Sequence, residues 1–207
     1  MSDTVSRERR SGVRWHLRQA TEALHAEADR LGSSHCLSSR AGYAGFLRVH
    51  ARAVPALEAA LDAAGLEAMM PDWPRRRRAA ALRADLAVLG EAVPAPLAAP
   101  EIRTGAAAMG AAYVLEGSRL GNAMLLRAAR AAPALANSGA FTYLSHQPGP
   151  AGWAGFLARL DQALPDPADW KVATAGALTA FETFLAALRA GAAPAAEPLE
   201  SSEPTVL

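Results

Sequence analysis

The chain has 207 residues, of which 51% are apolar and 20% charged. That composition suits one domain with a sizeable core and excludes wholesale disorder. The formal charge is only +1 (21 basic against 20 acidic residues), so nothing global favours nucleic acid as a partner. Cys36 is the only cysteine, which excludes a disulfide framework and a cysteine-based zinc site. Ala supplies 52 residues and Lys171 is the only lysine. Strong helix formers in such number favour an all-α fold. The N-terminal stretch MSDTVSRERRSGVRWH lacks a secretory apolar segment, and the apolar run Gly105 to Leu115 stops at Glu116, short of the ~18 residues a membrane span needs. The expectation is a soluble, cytoplasmic protein with no membrane or nucleic-acid partner.

In chain order, residues 1–13 predict a flexible charged arm, 14–190 a helical domain and 191–207 a disordered Pro/Ala/Glu/Ser tail. Val13, Leu17, Ala20, Leu24, Ala28 and Leu31 recur at helical spacing, and Gly32-Ser33-Ser34 ends that pattern. Ser38 or Ser39 caps a second helix through Leu61 to Gly65, with a bend expected at Pro55. Pro71-Asp72-Trp73-Pro74 reads as a helix entry capped by Asp72, with an apolar stripe through Leu82, Leu86 and Leu89 to Gly90. A Pro/Ala loop at 91–100 leads to a long helix from Glu101 to Ala131, interrupted by Gly105, Gly110, Gly117 and Gly121. Pro133 is expected to start a shorter helix toward Leu144, and helical patterns resume at 150–163 and 168–190. The sum is seven or so helices in one bundle.

Among five histidines, His25 has the most informative neighbours: Thr21, Glu22 and Asp29 lie one turn away on the same helix. A metal-bound imidazole needs its second nitrogen held by an acceptor, and Asp29 is spaced to do that. A surface or core histidine would show the same spacing. The segment Tyr113 to Asn122 sets Gly117 and Gly121 four residues apart, on one helix face. Each costs about 1 kcal/mol against Ala, the residue used almost everywhere else. Either close helix packing or a flat ligand against bare backbone would offset that cost.

YVLEGSRLG (Tyr113 to Gly121) following L-R-x-x-T-x-x-x-H (Leu17, Arg18, Thr21, His25) resembles the bacterial biliverdin-producing heme oxygenases. Tyr43 to Leu47, Pro71-Asp72-Trp73, Asp85 to Gly90, Trp153/Phe156 and Phe181/Phe184 extend the resemblance in order over about residues 14–190. It implies an all-α, single-domain heme oxygenase-like bundle with a glycine-kinked distal helix. The implied activity is oxidative cleavage of heme, both cofactor and substrate, to biliverdin with release of iron and carbon monoxide. Its partners would be O2 and an external electron donor, a ferredoxin or a flavoprotein reductase. By resemblance His25 is the iron ligand, and Gly117 and Gly121 shape the oxygen side. Arg18, Tyr113 and Ser118 match positions that bind heme propionates, and Phe181 and Phe184 sit where the last helix closes the pocket; solvated helix face and simple core packing are the plain alternatives.

Asn122 stands where many relatives carry another glycine; if it points into the pocket it would bond a ligand or ordered water and alter rate or isomer pattern. The run Arg75 to Arg78 reads as a solvated helix face, or as a docking patch for an acidic electron donor. Three rival functions share the fold. A di-iron oxidase would use Glu22-x-x-His25 with Glu58, Glu116 or Glu182, but no second Glu-x-x-His exists. A thiaminase-like hydrolase would need Cys36 in the pocket. A non-catalytic heme carrier or sensor would keep the pocket without turnover.

Overall fold

A computed structural model of the chain describes residues 12–33, 36–147 and 152–192. The described residues contain α1 (Val13–Gly32), α2 (Arg40–Ala63), α3 (Leu66–Met69), α4 (Trp73–Arg76), α5 (Ala79–Val88), α6 (Gly105–Gly117), a 3₁₀ turn (Ser118–Gly121), α7 (Asn122–Ala131), α8 (Thr142–Ser145), α9 (Gly152–Ala163) and α10 (Pro167–Ala192). Three of the α-helices are single turns, leaving seven longer ones. Most of the arm at 1–13 and of the tail at 191–207 lies outside the described residues, although α1 begins at Val13 and α10 reaches Ala192.

The bundle is organised around α10, which packs against α6, α1 and α2. Among the described residues α10, rather than the run at 105–115, is by length and composition the helix apolar enough to cross a membrane. Its apolar side is instead core: Ala173, Ala177, Ala180, Leu185 and Ala187 are at most 2% exposed. The α6–α10 crossing is unusually close. A Cβ on Gly110 would lie 1.8 Å from the Ala173 carbonyl oxygen, and one on Gly176 would lie 1.9 Å from that of Ala107. Here glycine serves close helix packing, each backbone fitting against the other.

Local chemistry explains the boundaries. Ser39, not Ser38, caps α2 by accepting from the Gly42 amide at 3.0 Å. Pro55 lies within a continuous α2, and the Arg52 carbonyl three residues before it accepts from Leu97 of the 91–100 loop at 2.9 Å. Thr104 caps α6, so that helix begins at Gly105 rather than Glu101.

Three expectations are corrected. Asp72 makes no capping bond, because its carboxylate accepts from Arg76 Nε and Nη2 at 3.0 and 2.7 Å. Helix does not run on through the arginines: Arg77 is extended, and α5 starts afresh at Ala79 with the buried Glu58 carboxylate on the Arg78 and Ala79 amides. No helix starts at Pro133 either. Ala132 is extended (ψ 122°), as a residue before proline tends to be, and turns follow through Asn137. The short α8 begins only at Thr142, where buried Asp85 accepts from the Thr142 and Tyr143 amides at 2.9 and 2.8 Å.

Candidate heme-binding site

α1 turns Val13, Leu17 and Thr21 into the core, with the Thr21 hydroxyl donating to the Leu17 carbonyl at 2.8 Å. One turn beyond Thr21, at the edge of that face, stands His25, whose side chain is 64% exposed. Its Nδ1 lies 3.0 Å from Asp29 Oδ2, and the Phe181 ring of α10 meets it edge-on at 5.8 Å. The carboxylate and the aromatic edge hold the ring, and the Nδ1 bond to Asp29 leaves Nε2 as the nitrogen available to a ligand. Glu22 is exposed beside it.

On the other side, Tyr113, Gly117, Leu120, Gly121 and Met124 recur at i, i+4, i+7, i+8 and i+11, one face of α6, the 3₁₀ turn and α7. Gly117 and Gly121 have right-handed helical backbone (φ −61° and −79°), so neither is needed for a left-handed turn. Close packing does not explain them. A Cβ on Gly121 would meet nothing within 4 Å, and one on Gly117 would make only an ordinary contact with Trp153 at 3.7 Å. Leu120 and Met124 beside them are 60% and 70% exposed. Bare backbone flanked by uncovered apolar side chains fits a flat apolar ligand that the protein itself does not supply. The change from α to 3₁₀ winding at Ser118–Gly121 falls at this strip, a position such interruptions favour at functional sites.

Arg18 is exposed on α1 with its guanidinium 5.7 Å from the Trp15 ring. Burial raises the Tyr113 hydroxyl pKa, and the Arg14 and Arg18 charges oppose that rise. Arg14, one turn before Arg18, was not singled out in the sequence, where it reads only as the start of the helical domain. Tyr113 packs on Trp153 at 5.5 Å. Ser118 donates to the Leu115 carbonyl at 2.7 Å and accepts from Arg78 Nη2 at 2.9 Å, which ties down the turn. Phe184 lies one turn beyond Phe181, against His50 at 5.5 Å and only 8% exposed.

Behind the turn the structure differs from both readings of the arginine run. Arg75 and Arg77 are exposed, but Arg76 and Arg78 are 3% and 1% exposed. Arg76 donates to Glu116 Oε2 at 2.6 Å, and Arg119 Nε to Glu116 Oε1 at 2.9 Å. Arg78 lies 4.9 Å from the Tyr143 ring centroid, and Tyr143 bonds His50 Nδ1 at 2.7 Å. These arginines are internal supports of the glycine-bearing turn. Burial and the neighbouring Arg78 charge press Arg119 down to about 10. His146, 3.0 Å from Arg119, is held below the ordinary imidazole value by burial and by the Arg119 and Arg78 charges. With Glu58 and Glu116 so engaged, Glu182 exposed and Cys36 exposed in a loop, the carboxylates and thiol of two rival readings do not gather. Asn122 is 7% exposed and lines a cavity with Glu116, Arg119, Leu120, His146 and Trp153.

A family model described as heme oxygenase matches residues 13–190. The chain is 39% identical over 153 residues to a heme oxygenase of Xanthomonas campestris pv. campestris (strain 8004), covering 73% of this chain and 92% of that protein. It is 36% identical over 124 residues to heme oxygenase PigA of Pseudomonas aeruginosa, covering 58% and 62% of the two. Its fold matches the NO- and CO-bound heme oxygenase of Neisseria meningitidis with a TM-score of 0.75 at 26% identity, covering 91% of this chain and 96% of that one.

Proposed function

The chain belongs to the heme oxygenase family, enzymes that degrade heme to biliverdin with O2 and reductase-supplied electrons, and on that premise we propose that His25 holds the iron opposite Gly117 and Gly121. Heme is both substrate and cofactor: its iron is the centre at which O2 reacts, and its macrocycle is opened with loss of iron and carbon monoxide. The observation that carries the residue assignment is the pairing of two features. One is a solvent-exposed imidazole whose Nδ1 is fixed on Asp29, leaving Nε2 available. The other is a helical strip at Gly117 and Gly121 with open space where side chains would stand.

Each role follows from chemistry in the chain. Asp29 accepts from Nδ1–H, selects the tautomer with its lone pair on Nε2 and makes that nitrogen a better donor. Phe181 packs against the imidazole, and Phe184, one turn further along α10, closes the pocket from beside His50. The missing Cβ atoms at Gly117 and Gly121 let the backbone approach the macrocycle and leave room for a small gas beside it. Leu120 and Met124 supply the apolar cover that excludes water. Arg18, joined by Arg14 and Tyr113, binds the propionates; a guanidinium matches a carboxylate with two parallel bonds. Ser118 serves the same edge by fixing the turn through Leu115 and Arg78. The electron donor is a ferredoxin or flavoprotein reductase, and the setting is cytoplasmic, as heme breakdown with a soluble reductant requires.

The test is product analysis. Hemin-loaded protein given reductant and O2 should yield biliverdin by chromatography, with one iron and one carbon monoxide released per heme. Recovery of intact heme under those conditions would identify a carrier and refute the enzymatic assignment.

A further inference from the structure

We propose that the exposed face of α7, through Arg127 and Arg130, is the docking surface for the electron donor, and that the donor it fits is a small acidic iron–sulfur protein of the ferredoxin class. The purpose of this surface rests on the heme assignment: α7 leaves directly from Gly121, so its first turns border the strip assigned to the macrocycle. Arg127 follows Gly121 by about 9 Å along the helix axis. α7 packs mainly against α8 and the 3₁₀ turn, and of its residues only Asn122 and Ala129 are buried. Beyond Met124 of the strip, Arg127, Ala128, Arg130 and Ala131 are all exposed. The alanines between the two arginines keep the face flat enough for a rigid partner to meet it closely.

Charge selects the partner. No Asp or Glu occurs between Gly117 and Leu160, a span that contains α7 and both elements it mainly packs on. Several exposed arginines elsewhere are neutralised in place: Arg48 by Glu91, Arg77 by Asp62, Arg103 by Glu101 and Arg189 by Glu27. Arg127 and Arg130 make no ion pair among the described residues. Arg130 lies 5.6 Å over the Phe141 ring, which orients the guanidinium while its N–H edges stay available to a partner's carboxylates. The run at 75–78 does not offer the same surface, because Arg76 and Arg78 are buried and Arg77 is held by Asp62. Two uncancelled charges on a small flat face are too few to track a phosphate backbone, and they match the small, weak interfaces of electron-transfer partners. Each encounter moves one electron and no atoms: the reduced donor cluster is oxidised and ferric heme iron becomes ferrous.

Binding is measured first on the full chain without hemin, so its outcome is independent of the heme assignment. A plant-type two-iron ferredoxin is titrated in by calorimetry at low and at physiological ionic strength. The wild type should bind, and more weakly as salt rises. Arg127→Glu and Arg130→Glu, which set like charge against the donor, should each weaken binding about tenfold. Arg103→Glu makes the same change in net charge before the far end of α6 and should alter affinity by less than about twofold. Loaded with hemin, the two α7 variants should match the wild type in hemin affinity and in biliverdin formation with ascorbate, and fall behind it with reduced ferredoxin. No binding by the wild type, binding indifferent to salt, an equal loss in Arg103→Glu, or undiminished ferredoxin affinity in both α7 variants would overturn the proposal. So would a loss of hemin affinity in both, which would place these arginines in the heme site instead.

Discussion

Gly121→Ala separates a glycine kept for a ligand from one kept for packing. The Gly121 backbone is right-handed helical and an added Cβ would meet no atom within 4 Å. In the ligand-free protein the substitution should therefore gain the Gly-to-Ala helix difference, about 0.5–1 kcal/mol. For a domain of this size that is an unfolding midpoint higher by about 1–4 °C. Gly110→Ala is the control. Its Cβ would sit 1.8 Å from a backbone oxygen that cannot rotate away, so α6 and α10 must separate. Overpacking costs about 1–3 kcal/mol in side-chain cases, and a backbone contact belongs at or above the upper end. Loss of about 3 kcal/mol lowers the midpoint by roughly 6–12 °C. Hemin binding and turnover should show the opposite ranking for Gly121→Ala: a more stable apoprotein that takes up hemin less tightly and turns it over more slowly. Thermal melts without hemin and absorbance titrations with it measure the two effects. A Gly121→Ala protein destabilised like Gly110→Ala, or one with unchanged hemin affinity and turnover, would refute the reasoning.

Further outcomes follow from the same geometry. Asp29→Asn should weaken hemin affinity by about 10–100-fold, the usual cost of losing the carboxylate behind a ligating imidazole; unchanged affinity would remove Asp29 from the site. Glu116→Gln leaves Arg76 and Arg119 without their shared carboxylate in a site that is 1% exposed, and denaturant unfolding should register a loss of about 3–5 kcal/mol. His146 titrates below its ordinary value when folded, so between the two values the unfolded chain binds a proton that the folded chain does not. Its contribution is full above pH about 6.5 and declines as the pH falls through the folded value. Relative to wild type, His146→Gln should show a shallower loss of stability on acidification, and parallel curves would contradict the shift.

The helices that carry the site are legible in the sequence because their periodicity and spacing are local. The His25–Asp29 pair is one helical turn, and the Gly117/Gly121 strip follows from i, i+4 geometry alone. What lies between helices is not legible. Arg76 and Arg78 look like surface charge because an arginine run is ordinarily solvated; their burial depends on Glu116, which is 40 residues from Arg76, and on Ser118 and Leu115. The direction of Asn122 is hidden for a related reason. Whether residue 122 shares the glycine face depends on the phase of the helix and its 3₁₀ interruption, and the structure buries it in a cavity that Leu120 of the strip also lines. Close packing and ligand access both select glycine, so Gly110 and Gly121 are indistinguishable as letters. They separate only when the atoms around each Cβ position are known: a carbonyl oxygen at one, nothing at the other.

The central claim is that the His25 imidazole binds iron through the nitrogen left free by Asp29. Resonance Raman spectroscopy of the reduced hemin complex tests it most directly, through the iron–histidine stretching band. Wild type should show the band; His25→Ala should lose it and regain a comparable band on addition of free imidazole. A band that survives His25→Ala without imidazole would place the ligand elsewhere and contradict the account.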